Sequence, residues 1–161
     1  MNIITETDRY LFGNGSNYEI YEKMGAHVME MDGVRGTYFA VWAPNATAVS
    51  VVGDFNDWNG YIHIMERLGT SGIWERFVPD VCEGQLYKYA ITGRDGSTHY
   101  KADPYANSSE LRPGNASKIT NIQGYEWDDE NWVKERNKNA DHRINSAMSI
   151  YEVHIGSWKK D

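Results

Sequence analysis

Asp54, Phe55, Asn56, Asp57, Trp58 and Asn59 place one large ring among amides and carboxylates, between two glycines, Gly53 and Gly60, that permit a turn. An indole set in this way offers an apolar plate with hydrogen-bonding groups beside it. That combination suits a neutral ligand whose hydroxyls surround an apolar face. The same residues admit a structural reading, in which Trp58 plugs one end of the fold and Asn56 caps the loop. Other chemistry is harder to assemble. Glu75, Asp103 and Glu152 lie in apolar settings, but no spacing pairs them for acid–base work. His27, His63, His99, His142 and His154 are scattered with no i, i+4 pair, so no metal site is expected. Gly13-Asn14-Gly15 lacks the third glycine and the preceding strand of a dinucleotide fingerprint and reads as a turn.

The elements that must position the Trp58 segment follow from patterning. Up to residue 33 the chain is polar and punctuated by glycine, with a short helix expected over Asn17–Gly25. From Gly36 the period changes to two: Thr37, Phe39 and Val41 alternate with Tyr38, Ala40 and Trp42, and Pro44 ends the run. Further strands are expected at Ala48–Gly53, Ile73–Val78, Leu86–Ile91, Thr98–Lys101 and Lys118–Ile122, with Arg94-Asp95-Gly96-Ser97 as a hairpin turn. Trp42 and Trp74 lie within strands and are expected in the core, as is Cys82 among its apolar neighbours. Short strands with frequent turns predict an all-β fold, an immunoglobulin-like antiparallel β-sandwich. Beyond Gly124 the chain is charged and amide-rich, a linker with one helical turn. It then reaches an apolar strand pattern at Ser149–Trp158 that has no later strand to pair with. An exposed apolar edge of that kind is avoided by complete domains, so a truncation is expected there.

Composition narrows the partners. The 161 residues carry a net charge of -7, a field that repels polyanions and makes nucleic acid a poor partner. Six Trp and eleven Tyr against four Phe favour rings with a polar handle, which suit wet surfaces as well as cores. The single cysteine excludes an internal disulfide. No run of about 18 apolar residues and no apolar leader is present, so no membrane association is expected and a cytoplasmic location is.

These residues, in order, resemble the amino-terminal region of bacterial 1,4-α-glucan (glycogen) branching enzymes. The matching pieces are Leu11-Phe12-Gly13, Tyr21 to His27, Phe39 to Ala46, Val49 to Asn59, Gly72 to Glu75, Tyr87-Lys88-Tyr89, Lys101 to Ala106, Glu110 to Ser117 and Ile150 to Trp158. Val52-Gly53-Asp54-Phe55-Asn56 with Trp58 marks a wider class, the carbohydrate-binding modules of family 48. Debranching enzymes and the β subunit of AMP-activated protein kinase share that class. Lys101 to Ala106 followed by Tyr151 to Trp158 is narrower and points to branching enzymes.

The resemblance implies a non-catalytic α-glucan-binding module, with glycogen or malto-oligosaccharides as the ligand and the enzyme's own catalytic barrel as its partner. It maps a loop tryptophan onto Trp58 and a hydroxyl-binding lysine onto Lys88. Asn56 and Asn59 join them as candidate glucan contacts. The kinase module's second tryptophan is replaced here by Ser97-Thr98-His99-Tyr100, so His99 or Tyr100 is its weaker substitute, and His99 is taken as the candidate contact. The implied layout is an N-terminal segment over 1–33, the sandwich over 34–125, a linker over 126–148, and over 149–161 the opening strand of a (β/α)8 barrel. Such a barrel would hold the two carboxylates of a retaining glucanotransferase, about 5–5.5 Å apart. Glu152 and His154 would then serve barrel packing. No catalytic residue, metal or cofactor is expected in this chain. Two alternatives stand beside this expectation: a module that only orients the barrel, and the equivalent module of a debranching enzyme.

Overall fold

The computed structural model describes residues 3–138 and 147–158. Residues 1–123 and 124–161 form two compact units.

In the first unit two antiparallel sheets face each other. One has the order β1-β2-β5-β4, from Gly25–Met31, Val34–Trp42, Ile73–Pro79 and Glu66–Arg67. The other sets β3 (Ala48–Gly53) beside β6 (Leu86–Thr92). The far edge of β6 is shared by β7 (Thr98–Lys101) and β9 (Ser117–Lys118), with β8 (Ser108–Ser109) beyond β9. Strand alternation sorts the side chains. Phe39, Val41, Val49, Val51, Trp74, Val78, Tyr87 and Tyr89 meet between the sheets and form the main core. This is the all-β sandwich that the sequence predicts.

The outer face of the first sheet is also buried. Tyr38, Ala40 and Ile73 point away from the main core and are covered by Ile4, Ile20 and Met24 of the N-terminal segment, which makes a second small core. The expected helix over Asn17–Gly25 is only a 3-10 turn at Ile20–Glu22. The helix lies earlier, α1 at Glu6–Gly13, because Thr5 and Asp8 form a capping box: the Asp8 amide donates to Thr5 Oγ1 and the Thr5 amide to Asp8 Oδ2. Gly25 does not close a helix but opens β1, which pairs with β2 from Gly25↔Ala40 to Met31↔Val34. The sandwich therefore begins before residue 34. The turn between these strands, Asp32-Gly33, has both φ values positive, at 52° and 80°, as a two-residue hairpin requires.

Two further expectations are corrected. Trp42 is 52% exposed. It shares a face with Tyr38 and Ala40 but lies at the margin of the N-terminal cover, where its indole meets the edge of Phe12 and donates to the Ser71 carbonyl. Cys82 is exposed, because β5 ends at Pro79 and Val81, not Cys82, turns into the core.

In the second unit α2 runs over Glu130–Lys138, longer than the single turn expected, and carries the ion pairs Lys134–Glu130 and Lys138–Glu135. Residues 149–154 form no strand, and Ile155–Trp158 is a short helix, α3, whose Trp158 meets Tyr151 edge to face. A strand is held by its neighbours, and among the described residues of this unit there is no strand to pair with.

Candidate functional site

The Trp58 loop starts from a close approach. A Cβ on Gly53 would stand 2.2 Å from the Leu86 carbonyl oxygen and 2.7 Å from the Phe55 ring, so only glycine lets β3 leave the sheet here. Asp54 then accepts the Leu86 amide, and residues 54–56 make one 3-10 turn. Asn56, 5% exposed, ties the turn together. Its Oδ1 accepts the Gly53 amide at 2.9 Å, and its Nδ2 donates to the Val51 carbonyl at 3.0 Å and faces His63 Nδ1 at 2.9 Å. Asn56 is therefore occupied by protein on every side. The capping alternative for Asn56 describes its bonding.

Asp57 and Trp58 follow at φ 52° and 60°, two successive left-handed residues that are not glycine. Such a backbone costs on the order of 1–3 kcal/mol per residue and persists only where the surroundings over-determine it. Here the Trp58 amide donates to the Gly53 carbonyl and the Asn59 amide to the Asn56 carbonyl, each at 3.0 Å. Gly60 then seats the loop on the outer face of the second sheet, where its Cβ position is 3.8 Å from Ala90 and 4.0 Å from Val52. Trp58 is half-buried there, and Asn59 is exposed, with its Oδ1 accepting the Tyr61 amide.

Register decides which side chains share that face. Lys88 is opposite Val52 and two residues from Ala90, so it projects on the loop's side of the sheet. Its Nζ donates to Asn115 Oδ1 at 2.5 Å. Tyr100 is opposite Ala90, on the same face, and is 53% exposed. His99 is opposite Ile91, which packs toward the main core. His99 lines a different hollow, of about 270 Å³, with Trp42, Pro44 and Asn45. The structure therefore gathers Trp58, Asn59 and Lys88 on one face, with Asn56 beneath them, and places His99 elsewhere.

Of the two alternatives His99 and Tyr100, register puts Tyr100 on the loop's face, and Asn115 joins the site with no expectation from the sequence. Asn115 lies 27 residues from Lys88 and has no local signal.

A buried network fixes the segment that carries Asn115. Asp103, 6% exposed, accepts the Tyr87 hydroxyl at 2.6 Å, the Tyr89 hydroxyl at 3.1 Å and the Tyr105 amide at 2.8 Å. The Asp103 amide donates to Ser117 Oγ at 2.8 Å, and Ser117 is opposite Tyr87 in the sheet. Burial pushes the Asp103 carboxyl above its usual range even though the tyrosines pull it down. Glu75 is similar: burial raises it, while the Tyr38 hydroxyl, donating to Glu75 Oε2, opposes the rise. Each buried carboxylate is held by tyrosine hydroxyls within the fold. Among the described residues no group of three or more His, Cys, Asp or Glu side chains could hold a metal.

The first unit is thus a β-sandwich with a ring-bearing loop laid on one outer face, beside a lysine, a tyrosine and an amide. Residues 23–106 match the model of the family described as carbohydrate-binding module 48 (isoamylase N-terminal domain). The chain belongs to carbohydrate-binding module family 48.

It is 52% identical, over 98% of its length, to 24% of the 1,4-α-glucan branching enzyme GlgB of Butyrivibrio fibrisolvens. It is 53% identical, over 98% of its length, to 21% of the same enzyme from Rhodospirillum rubrum. The chain thus spans about a quarter or less of the curated relatives it matches. Among solved structures, the maltotriose complex of PulA from Klebsiella pneumoniae superposes with a TM-score of 0.51 at 28% identity, covering 63% of this chain and 11% of that one.

Proposed function

We propose that the chain is the α-glucan-binding module of a glycogen branching enzyme, an enzyme that transfers α-1,4-glucan chains to form α-1,6 branches. The observation that carries this reading is the gathering of Trp58, Lys88 and Tyr100 on one outer face, with Asn59 and Asn115 beside them. A glucan presents a C–H face that stacks on a ring and hydroxyls that take hydrogen bonds from an amine and amides. Trp58 supplies the first plate and Tyr100 a second, smaller one. Nothing on this face requires a charged ligand, which accords with the net charge of -7. Holding polymer here raises its concentration at a tethered catalytic domain. In the same reading residues 149–158 become the opening strand of that domain's barrel once neighbouring strands are present. Identities near one half to branching enzymes, against 28% to PulA, favour a branching rather than a debranching parent.

Isothermal titration with maltoheptaose tests the proposal. Binding that Trp58→Ala abolishes supports it. Absence of heat up to millimolar ligand supports a module that orients its partner domain without touching glucan.

A further inference from the structure

Behind the Trp58 loop lies a contact that the binding face itself does not use. The orientation of the Asn56 amide is fixed by its surroundings, because the Gly53 amide needs an acceptor and the Val51 carbonyl needs a donor. Asn56 Nδ2 therefore faces His63 as a donor, and at 2.9 Å His63 Nδ1 must offer its lone pair. The imidazole is thus neutral, with its proton on Nε2. The His63 backbone is held independently, its carbonyl accepting the Val51 amide at 3.0 Å, so the ring does not easily move away.

We infer that His63 is a positioning residue for the Trp58 loop, acting through Asn56, and that protonating His63 at Nδ1 loosens this loop and weakens glucan binding. A proton on Nδ1 would set N–H against N–H at 2.9 Å and remove one of the three bonds that hold Asn56. Asn56 in turn carries the turn on which Trp58 keeps its left-handed backbone. The charged groups around His63 favour the neutral ring. Arg76 of β5, whose Nη1 donates to the adjacent Ile64 carbonyl at 2.7 Å, adds positive charge. The Phe55 ring packs 5.6 Å away. Asp54 and Asp57, on the loop itself, are exposed, Glu66 of β4 pairs opposite Glu75, and Lys88 of β6 bonds Asn115. Among the described residues no carboxylate is hydrogen-bonded or ion-paired to His63. Burial first, and Arg76 second, hold its pKa below the ordinary histidine value. With the closed-loop value depressed, the closed loop is fully favoured above about pH 6.5 and loses ground as pH falls below it. This inference rests on the Trp58 face being the glucan site.

The test compares wild type, His63→Asn and His63→Ala. Asparagine sets a non-titrating acceptor where Nδ1 stood. Maltoheptaose affinity of the wild type should fall by at least about threefold from pH 7.5 to pH 5. His63→Asn should bind as wild type at pH 7.5 and stay level, and His63→Ala should bind weakly at both. Reciprocally, saturating maltoheptaose should lower the His63 pKa followed by NMR. Equal pH profiles for wild type and His63→Asn, or full binding by His63→Ala, would overturn the inference. A ligand-free arm separates it from the glucan-binding proposal. Protection of the Trp58 and Asn59 amides against hydrogen exchange should fall on acidification in wild type and hold in His63→Asn. If protection is flat in wild type, the inference fails whether or not glucan binds.

Discussion

Tyr87→Phe probes the network that holds the binding face in register. The tyrosine is fully buried, and its hydroxyl donates to Asp103 Oδ2 at 2.6 Å, beside bonds from the Tyr89 hydroxyl and the Tyr105 amide. Phenylalanine fills the same space, so no cavity contributes. What remains is a buried carboxylate short of one donor, and hydrogen bonds to charged groups are worth about 1.5–3 kcal/mol. At roughly 4–8 °C per kcal/mol for a domain near 100 residues, Tm should fall by on the order of 10 °C. Urea denaturation followed by fluorescence measures the loss directly.

Two controls isolate the cause. In an Asp103→Asn background no charge is stranded, so the same substitution should cost less than about 1 kcal/mol. The Tyr87 hydroxyl also holds the Asp103 carboxyl down against burial, so its removal raises that group's folded pKa further. The gap between wild type and variant should therefore widen as pH rises from 3 to 7. A loss below about 0.5 kcal/mol at pH 7, or an equal loss in the Asp103→Asn background, would refute the assignment of Asp103 as the anchor.

Other outcomes follow from the same geometry. Glu75 and Asp103 both have folded pKa values raised by burial, so their contribution is complete below the usual carboxylate range and declines as pH rises through the folded values. Glu75→Gln, which keeps an acceptor for Tyr38, should accordingly gain stability relative to wild type between pH 4 and pH 7; a flat difference contradicts this. Gly53→Ala meets the Leu86 carbonyl at 2.2 Å, so thermal melts should show a loss of more than about 2 kcal/mol and the Trp58 emission should change. Met24→Ala, at a fully buried position under the N-terminal segment, should cost about 2–5 kcal/mol by urea denaturation. Tyr100→Ala should weaken maltoheptaose binding with little effect on Tm, whereas His99→Ala should leave binding as it is.

The sandwich was legible in the sequence because its strands alternate clearly and its glycines fall at turns. Five of the six strands expected coincide closely with β2, β3, β5, β6 and β7; the sixth shrinks to Ser117–Lys118. β1 carries no comparable signal: Ala26-His27-Val28-Met29-Glu30 has weak apolar alternation, and its place depends on the Asp32-Gly33 turn and on pairing with β2. Trp42 is exposed despite its place in β2, because strand membership alone does not say where a covering segment ends. The site was half legible. Trp58 and Asn59 are local to one loop, and Lys88 follows from the resemblance. The burial of Asn56, the partnership of Lys88 with Asn115, and the separation of His99 from Tyr100 depend on register between strands distant in sequence.

Glucan binding at the face bearing Trp58 is tested most directly by maltoheptaose titration followed by NMR. The six tryptophans give six indole N–H signals as internal reporters. The Trp58 indole should shift progressively, along with the backbone amides of Lys88, Tyr100 and Asn115, while the buried Trp74, and Trp42 in the hollow with His99, stay still. Absence of any shift at millimolar maltoheptaose, or shifts confined to the hollow of Trp42 and His99, would contradict binding at this face.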